Sequence, residues 1–231
     1  MMHFNFPEGE ILLIDKPLYW TSFDVVGKIR NLLVKKSGLK GIKVGHAGTL
    51  DPLATGLIII ATGKATRRLT CFQGEDKEYE ATLMFGSTTP SFDLETSTDK
   101  EFQYTHITRE LLSSVIDKFL GESEQVPPSY SAKFVNGRRA YKSARKGQKT
   151  ELKPVRIFIR EIELLEFSLP VVRIRVLCSK GTYIRTLAHE IGIASGSGAH
   201  LIALKRTRSG SFLLDNAISM KDFENLILSL S

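Results

Sequence analysis

The alternation of apolar and polar positions predicts strands in several parts of the chain. The clearest case is Lys77–Phe85, where a period of two places Tyr79, Ala81, Leu83 and Phe85 on one face. Short apolar runs bounded by Gly, Pro or polar residues are typical of buried strands. They predict further strands at Glu10–Asp15, Leu57–Thr62, Val155–Glu166 and Val171–Cys178, and one entered at Leu201–Leu204.

Apolar residues at helical spacing predict helices between these strands. Thr21 or Ser22 can cap a helix whose apolar face contains Val25, Val26, Ile29, Leu32 and Leu33. Other helices are predicted at Ala65–Phe72, Thr108–Leu120, Thr182–Ile193 and Met220–Leu228. The polar segment 87–105 is expected to be a long exposed loop, and Lys43–Asp51 a loop rising out of a strand. Because no strict βαβ repeat is present, we expect a mixed α+β fold in one domain spanning residues 1–231.

Length and composition exclude several classes of protein. The chain has 231 residues, 42% of them hydrophobic, which is enough to bury a core without disulfides or metals. The longest purely apolar run, Leu57–Ala61, is far shorter than a membrane span, and no basic leader precedes it. Cys71 and Cys178 are the only cysteines and lie far apart. A cytoplasmic protein without structural zinc is therefore expected.

The charge is unevenly distributed along the chain. The formal net charge is +7, yet residues 133–160 carry ten Lys or Arg against Glu151 alone. Residues 173–210 carry seven against Glu190, so the remainder of the chain is acidic. Clustered cations gain from counterion release at phosphates, and this pattern favours a polyanion such as nucleic acid. A solvated surface with basic loops is the alternative.

The segment Gly45–Gly56 is the densest candidate for chemistry. Its glycines permit close backbone approach, and it places the imidazole of His46 five residues before the carboxylate of Asp51. An Asp-Pro turn in which Asp51 bonds its own backbone is the structural alternative. A phosphate-binding loop is excluded, because Gly63-Lys64 is followed by Ala65 where such a loop needs Ser or Thr.

A second candidate segment is Ser179–Leu187. A strand ends there, Thr182 can cap the next helix, and Arg185 falls in the first helical turn, where a cation is not favoured by the helix dipole. Arg185 therefore needs an anionic partner, unless it simply covers apolar neighbours at the surface. Histidine spacing gives no support to a metal site, even one assembled from His46, Asp51 and His200.

Several segments in this order together resemble one family. They are Ile14–Pro17 with Thr21-Ser22, Gly45–Gly56, Lys77–Tyr79, Tyr130–Ala132 with Gly137–Tyr141, Lys180–Thr186, and Gly198–Leu201 with Leu204. Over about residues 10–212 the chain resembles the bacterial, stand-alone TruB-type tRNA pseudouridine-55 synthases. The resemblance implies a pseudouridine synthase fold, a mixed and largely antiparallel sheet with flanking helices around a catalytic cleft.

The resemblance also implies a reaction and assigns residues to it. One uridine of the tRNA T arm, at position 55, is flipped out and isomerised to pseudouridine without cofactor or metal. Asp51 is the catalytic carboxylate, Tyr79 stacks on the target uracil and sits near the proton-transfer step, and Arg185 pairs with Asp51. Whether Asp51 attacks C6, attacks C1′ or removes the 2′ proton stays open. Four further residues would line or support the substrate site: His46, Lys16, Tyr183 and Leu204.

The basic insert at about 124–153 is expected to close over the RNA as a thumb. Its expected RNA contacts are Arg138, Arg139, Lys142 and Arg145. The insert resembles that of stand-alone enzymes, so we expect a monomer acting on tRNA without guide RNA, protein partner or membrane. A non-catalytic RNA-binding or ribosome-assembly factor, or a synthase acting on another RNA, is the alternative.

The chain departs from the family pattern at two places. Tyr19 stands where the family usually has glycine, which is expected to change the shape of the first loop. Only about twenty residues follow Phe212. The family's C-terminal PUA-type RNA-binding domain is therefore expected to be missing or reduced to one helix.

Overall fold

A computed structural model describes residues 4–131, 133–135, 138–146, 148 and 152–229. The chain forms two compact units, one made of Met1–Tyr79 with Leu204–Ser231 and the other of Glu80–Ala203. The unit boundaries fall within strands β4 (Lys77–Phe85) and β12 (Ala199–Ser209). Among the described residues, no helix is long and apolar enough to cross a membrane.

The first unit is built on a mixed sheet. Its other strands are β1 (Ile11–Lys16), β2 (Val44–Ala47), β3 (Ala54–Thr62), β13 (Phe212–Leu213) and β14 (Ile218–Ser219). β3 lies centrally, antiparallel to β1 and β2 and parallel to β12. β1 also pairs in parallel with β14, and β12 pairs with β13 antiparallel. The almost continuous apolar run of β3 is explained by burial of both its faces.

Two helices, α1 (Ser22–Ser37) and α6 (Met220–Ser229), pack against this sheet and form the core of the first unit with it. A shorter helix, α2 (Leu69–Gly74), contributes no buried residue to that core. α1 begins with a capping box between Thr21 and Asp24 and ends at Gly38 in the left-handed conformation. The apolar face predicted for α1 is buried against β1, β3 and α6, which confirms that helix. Its buried residues are Val25, Val26, Ile29, Leu32 and Leu33.

The second unit is largely antiparallel. Its strands include β7 (Gly121–Gln125), β10 (Val155–Ser168) and β11 (Val171–Cys178), and β10 pairs antiparallel with both of the others. β4 follows β11 in the strand order. Two small hairpin sheets join β5 (Ser87–Thr88) to β6 (Lys100–Glu101) and β8 (Phe134–Val135) to β9 (Arg138–Arg139). The helices are α3 (Arg109–Asp117), α4 (Ala140–Ala144) and α5 (Ile184–Ala194).

The mixed, mostly antiparallel sheet confirms the predicted α+β class, but three local predictions were wrong. Residues 87–105 are not an exposed loop, because they contain β5 and β6 and bury Ser91 and Asp93. Within Lys43–Asp51, four residues form β2 by pairing with β3. Thr182 does not cap α5, since its hydroxyl donates to the Ser179 carbonyl at 3.0 Å and Tyr183 occupies the N-cap.

Candidate active site

Asp51 lies half-buried in a loop between β2 and β3, residues 48–53, which we call the Asp51 loop. The hydroxyl of Ser22, at the start of α1, holds this loop through both backbone polar groups of Leu50. It accepts from the Leu50 N–H at 2.9 Å and donates to the Leu50 carbonyl at 3.2 Å. The Asp51 carbonyl accepts from the Ala54 N–H at 3.0 Å, which closes a turn. The backbone that carries the carboxylate is therefore fixed by hydrogen bonds.

Lys16 supports the same loop from the end of β1. Its side chain is fully buried, and Nζ donates to the carbonyls of Pro17 at 2.9 Å and Trp20 at 2.6 Å. A longer contact of 3.5 Å reaches the Pro52 carbonyl. Burial lowers the pKa of Lys16 to about 8, although the nearby Asp51 carboxylate opposes that shift. Lys16 thus joins the loop after β1 to the Asp51 loop.

Arg206, on β12, is a further buried cation beside the Asp51 loop. It is 1% exposed, and its guanidinium donates to the Leu57 carbonyl at 2.7 Å and the Gly48 carbonyl at 3.0 Å. Gly48 has φ +77°, and a Cβ there would lie 3.3 Å from the guanidinium. At Gly56, with φ +96°, a Cβ would lie 2.3 Å from the Arg206 carbonyl oxygen. Two of the motif's glycines are thus required by the close approach of β12.

His46 lies on β2, just before the Asp51 loop. Its ring meets the ring of Phe23 edge to face, with centroids 5.4 Å apart. Burial lowers the pKa of His46, and the positive charge of Arg206 adds to this effect. His46 is therefore neutral at pH 7. Its Nδ1 is buried and has no hydrogen-bond partner among the described residues.

Tyr79 and Leu204 occupy positions on strands of the same unit. Tyr79 lies on the buried face of β4, whose alternating burial matches the predicted period of two. Leu204 pairs in parallel with Ala54, three residues after Asp51. The sheet register thus places Leu204 beside the end of the Asp51 loop. Lys16, His46 and Asp51 belong to the same unit. This unit therefore holds five of the seven candidate residues that lie outside the basic insert.

Arg185, in the second unit, has the anionic partner that its position requires. The side chain is nearly fully buried, and Nη1 lies 3.4 Å from Oδ2 of Asp93. The guanidinium also donates to the carbonyls of Ser91 at 3.1 Å and Tyr130 at 3.0 Å. Asp93 was not predicted from the sequence, because its segment was interpreted as an exposed loop. Pairing of Arg185 with Asp51, which the resemblance implies, stays a prediction.

Tyr183 precedes α5 and is fixed through its backbone. Its N–H donates to Oε1 of Gln125 at 2.8 Å, and Nε2 of Gln125 donates to its carbonyl at 3.1 Å. Gln125 is itself buried at the end of β7. The amide of Gln125 therefore ties the start of α5 to the strand that leads into the basic insert.

Comparison with known proteins gives matches over nearly the whole chain. Residues 34–184 match the family described as TruB family pseudouridylate synthase, N-terminal domain. Residues 185–230 match the tRNA pseudouridylate synthase B C-terminal domain. The chain belongs to the TruB family of pseudouridylate synthases. It is 58% identical to the tRNA pseudouridine synthase B of Phocaeicola vulgatus, covering 95% of this chain and 93% of that protein. The Flavobacterium johnsoniae protein of the same name is 49% identical, covering 94% of this chain and 95% of that one.

Solved structures support the family fold. A Cbf5–Nop10–Gar1 complex matches with a TM-score of 0.73 and 30% identity. An H/ACA ribonucleoprotein bound to a substrate RNA containing 2′-deoxyuridine matches with a TM-score of 0.69 and 29% identity. Each covers 95% of this chain, which in turn spans 54% and 53% of the matched chains. The pseudouridine synthase fold predicted from the sequence is thereby confirmed.

The cations of residues 173–210 are mostly satisfied within this TruB-family chain. Arg185 and Arg206 are buried, and Arg173 pairs with Glu80 at 3.2 Å and Glu166 at 3.4 Å. Arg175 pairs with a glutamate on β10, and Arg208 pairs with one on β4. Arg185 and Arg206 were included in the charge count along the sequence, but buried cations that donate to backbone carbonyls are not available to phosphates.

The basic insert is only partly described. Arg145 pairs with Oε1 of Glu95 at 2.7 Å and lies over the ring of Tyr141. The side chains of Arg138, Arg139 and Lys142 lie outside the described part of the chain, so their RNA contacts stay predictions. In the described ranges, no group of three or more His, Cys, Asp or Glu side chains could hold a metal ion.

Proposed function

We propose that this chain isomerises the uridine at position 55, in the T arm of tRNA, to pseudouridine. The N1–C1′ bond of the nucleotide breaks and a C5–C1′ bond forms; the proton on C5 leaves and N1 gains one, so the reaction needs no co-reactant. The observation that carries this proposal is the Asp51 carboxylate, held on a loop fixed by Ser22, Lys16 and Arg206. Such rigidity suits a group that must meet one atom of a flipped nucleotide.

The proposed roles follow the resemblance and the burial of each side chain. Asp51 acts on the nucleotide as nucleophile or base, and Tyr79 stacks on the flipped uracil. Neutral His46 helps to hold the RNA. Tyr183 and Leu204 line the pocket, which Lys16 supports from below the loop. The roles of Asp51, Tyr79, His46, Lys16 and Leu204 are supported by their place in one unit of the fold and by membership of the family, and that of Tyr183 by membership of the family.

A tRNA substrate is favoured over the other RNA classes by the relatives. The 54–58% identical proteins carry the name tRNA pseudouridine synthase B. The matched Cbf5 chains, in contrast, occur in complexes with Nop10 and, in one case, Gar1. We propose that this chain works alone, as a monomer and without guide RNA. A purely binding protein is disfavoured, because a carboxylate facing phosphates weakens RNA binding.

We also propose that this protein works in the cytoplasm. Cys71 is exposed and Cys178 is buried, and no disulfide joins them. Widely separated cysteines without a disulfide fit a reducing compartment.

The substrate class can be tested with short RNAs. The purified chain should convert a T-arm stem–loop and should leave an anticodon stem–loop of equal length unchanged. A T-arm stem–loop with cytidine at the target position is the matched control and should give no product. Conversion of both stem–loops alike would contradict the T-arm assignment.

Substitution of Tyr79 separates stacking from proton transfer. Tyr79→Phe should keep tRNA affinity but slow the single-turnover rate, because the ring remains and the hydroxyl is lost. Tyr79→Leu should lose both, because an aliphatic side chain cannot stack on a base. Rapid-quench measurement at saturating tRNA gives the rates. Equal rates for Tyr79→Phe and wild type would remove the proposed role of the hydroxyl.

Removing the predicted thumb cations should change affinity more than chemistry. Alanine at Arg138, Arg139, Lys142 and Arg145 should weaken binding, and the slope of log affinity against log salt should flatten by roughly 0.7–0.9 per lost phosphate contact. The single-turnover rate at saturating tRNA should fall much less, since Asp51 is untouched.

A matched variant controls for net charge in this experiment. Alanine at four exposed lysines elsewhere, Lys35, Lys40, Lys100 and Lys118, removes the same charge. Its salt slope should stay near that of wild type. Identical slopes for the two quadruple variants would mean that the insert makes no special contact with RNA.

A further inference from the structure

The loop between β1 and α1 exposes aromatic rings beside the Asp51 loop. Tyr19 is 74% exposed, and Phe23, in the first turn of α1, is 64% exposed. The Tyr19 N–H donates to the Pro52 carbonyl at 2.8 Å, so its position is tied to the residue that follows Asp51. Phe23 contacts the ring of His46. Tyr19 is therefore tied to the Asp51 loop through its backbone, and Phe23 is in contact with His46.

Tyr19 has a backbone conformation that disfavours tyrosine. Its φ is +67°, in the left-handed region where a Cβ is crowded and glycine is favoured. Because the ring is mostly exposed, its packing within the folded chain offsets little of that disadvantage. Residues held in such conformations cluster at binding and catalytic sites.

A cavity lined by several lysines begins at the residue after Tyr19. Trp20 lines this cavity, of about 650 Å³, together with Lys28, Lys205 and Lys221 and the carboxylates of Asp15 and Glu224. Lys28 is partly neutralised by Glu224 at 2.6 Å, while Lys205 and Lys221 are exposed. Unpaired RNA bases stack on exposed aromatic rings, and exposed lysines of the same unit can bind the flanking phosphates.

We propose that Tyr19 and Phe23 form a stacking platform for an unpaired base of the substrate RNA, adjacent to the nucleotide that reacts. The platform deepens the proposed function and rests on it, because an RNA substrate is required. Stacking of the base on the faces of the two rings adds to the affinity for RNA. A tyrosine at position 19 gives this chain a contact that a glycine there would lack.

The test compares two variants of Tyr19 on a T-arm stem–loop. Tyr19→Gly removes the ring and relieves the backbone, so Tm should stay at or above that of wild type while the Kd weakens by about 5- to 100-fold. Tyr19→Phe keeps the ring and should bind as wild type does. Phe23→Leu removes the second ring and should also weaken binding. Leu228→Ala, an exposed apolar residue on α6, is the control and should leave the Kd unchanged.

Fluorescence identifies the base that stacks. The fluorescent base 2-aminopurine is placed in turn at each unpaired position of the stem–loop. At one of these positions, wild type and Tyr19→Phe should quench its fluorescence, and Tyr19→Gly should not. An unchanged Kd and unchanged quenching in Tyr19→Gly would overturn the platform, and so would a weaker Kd accompanied by a lower Tm.

Conversion of the stem–loop by wild type separates this proposal from the proposed function. If wild type fails to convert the stem–loop, the proposed function itself is wrong. If wild type converts it and Tyr19→Gly binds it equally well, only the platform is overturned.

Discussion

Asp51→Asn is expected to lower the rate of pseudouridine formation by at least about a thousandfold, equivalent to about 4 kcal/mol of transition-state stabilisation. The amide keeps the shape of the carboxylate but cannot act as nucleophile or base at neutral pH. Because Ser22, Lys16 and Arg206 bond to backbone atoms of the Asp51 loop or its flanks, the loop should keep its conformation. The tRNA Kd should therefore stay within a few fold of wild type.

Single-turnover assays at saturating tRNA measure this effect without interference from binding. Asp117→Asn, at an exposed carboxylate on α3, is the matched control and should retain the wild-type rate. Product formation by Asp51→Asn at more than about a thousandth of the wild-type rate would sink the assignment of Asp51 as the catalytic carboxylate.

The second large effect is on stability. Arg185→Met should lower the free energy of unfolding by about 3–5 kcal/mol, because it leaves the Asp93 carboxylate buried without its guanidinium. The carbonyls of Ser91 and Tyr130 lose donors at the same time. Urea titration at neutral pH measures the loss. The double variant Arg185→Met/Asp93→Asn should be less destabilised than the sum of the single changes, since the buried charge is gone.

An exposed ion pair provides the comparison. Arg173→Met breaks a pair with Glu80 in which both side chains are well exposed, and it should change stability by only about 0–1 kcal/mol. If Arg185→Met were no more destabilising than Arg173→Met, the pair of Arg185 and Asp93 would not contribute to the free energy of unfolding as we expect.

Local patterns predicted much of the fold. The capping residues and apolar face of α1 identified that helix, the alternation in β4 identified that strand, and an apolar run identified β11. Such elements depend on neighbours within a few residues, which the sequence displays directly. The motif around Asp51 was equally visible, and two of its glycines, Gly48 and Gly56, are explained by the approach of Arg206.

Other features depended on contacts between distant segments and could not be predicted. Ser91 and Asp93 lie in a polar stretch that looks exposed, yet Arg185, about ninety residues later, draws them into the interior. Arg206 resembles any cation of a basic strand until β12 is placed beside Gly48 and Leu57. The positive φ of Tyr19 has no local signal either, because tyrosine does not favour it.

The most direct test of the central claim is a map of pseudouridine along a complete, unmodified tRNA transcript incubated with the purified chain alone. The account predicts conversion of the single uridine at position 55 of the T arm, with no other RNA or protein added, and no conversion by Asp51→Asn. Absence of pseudouridine with the wild-type chain, or its appearance at a different uridine, would contradict the account.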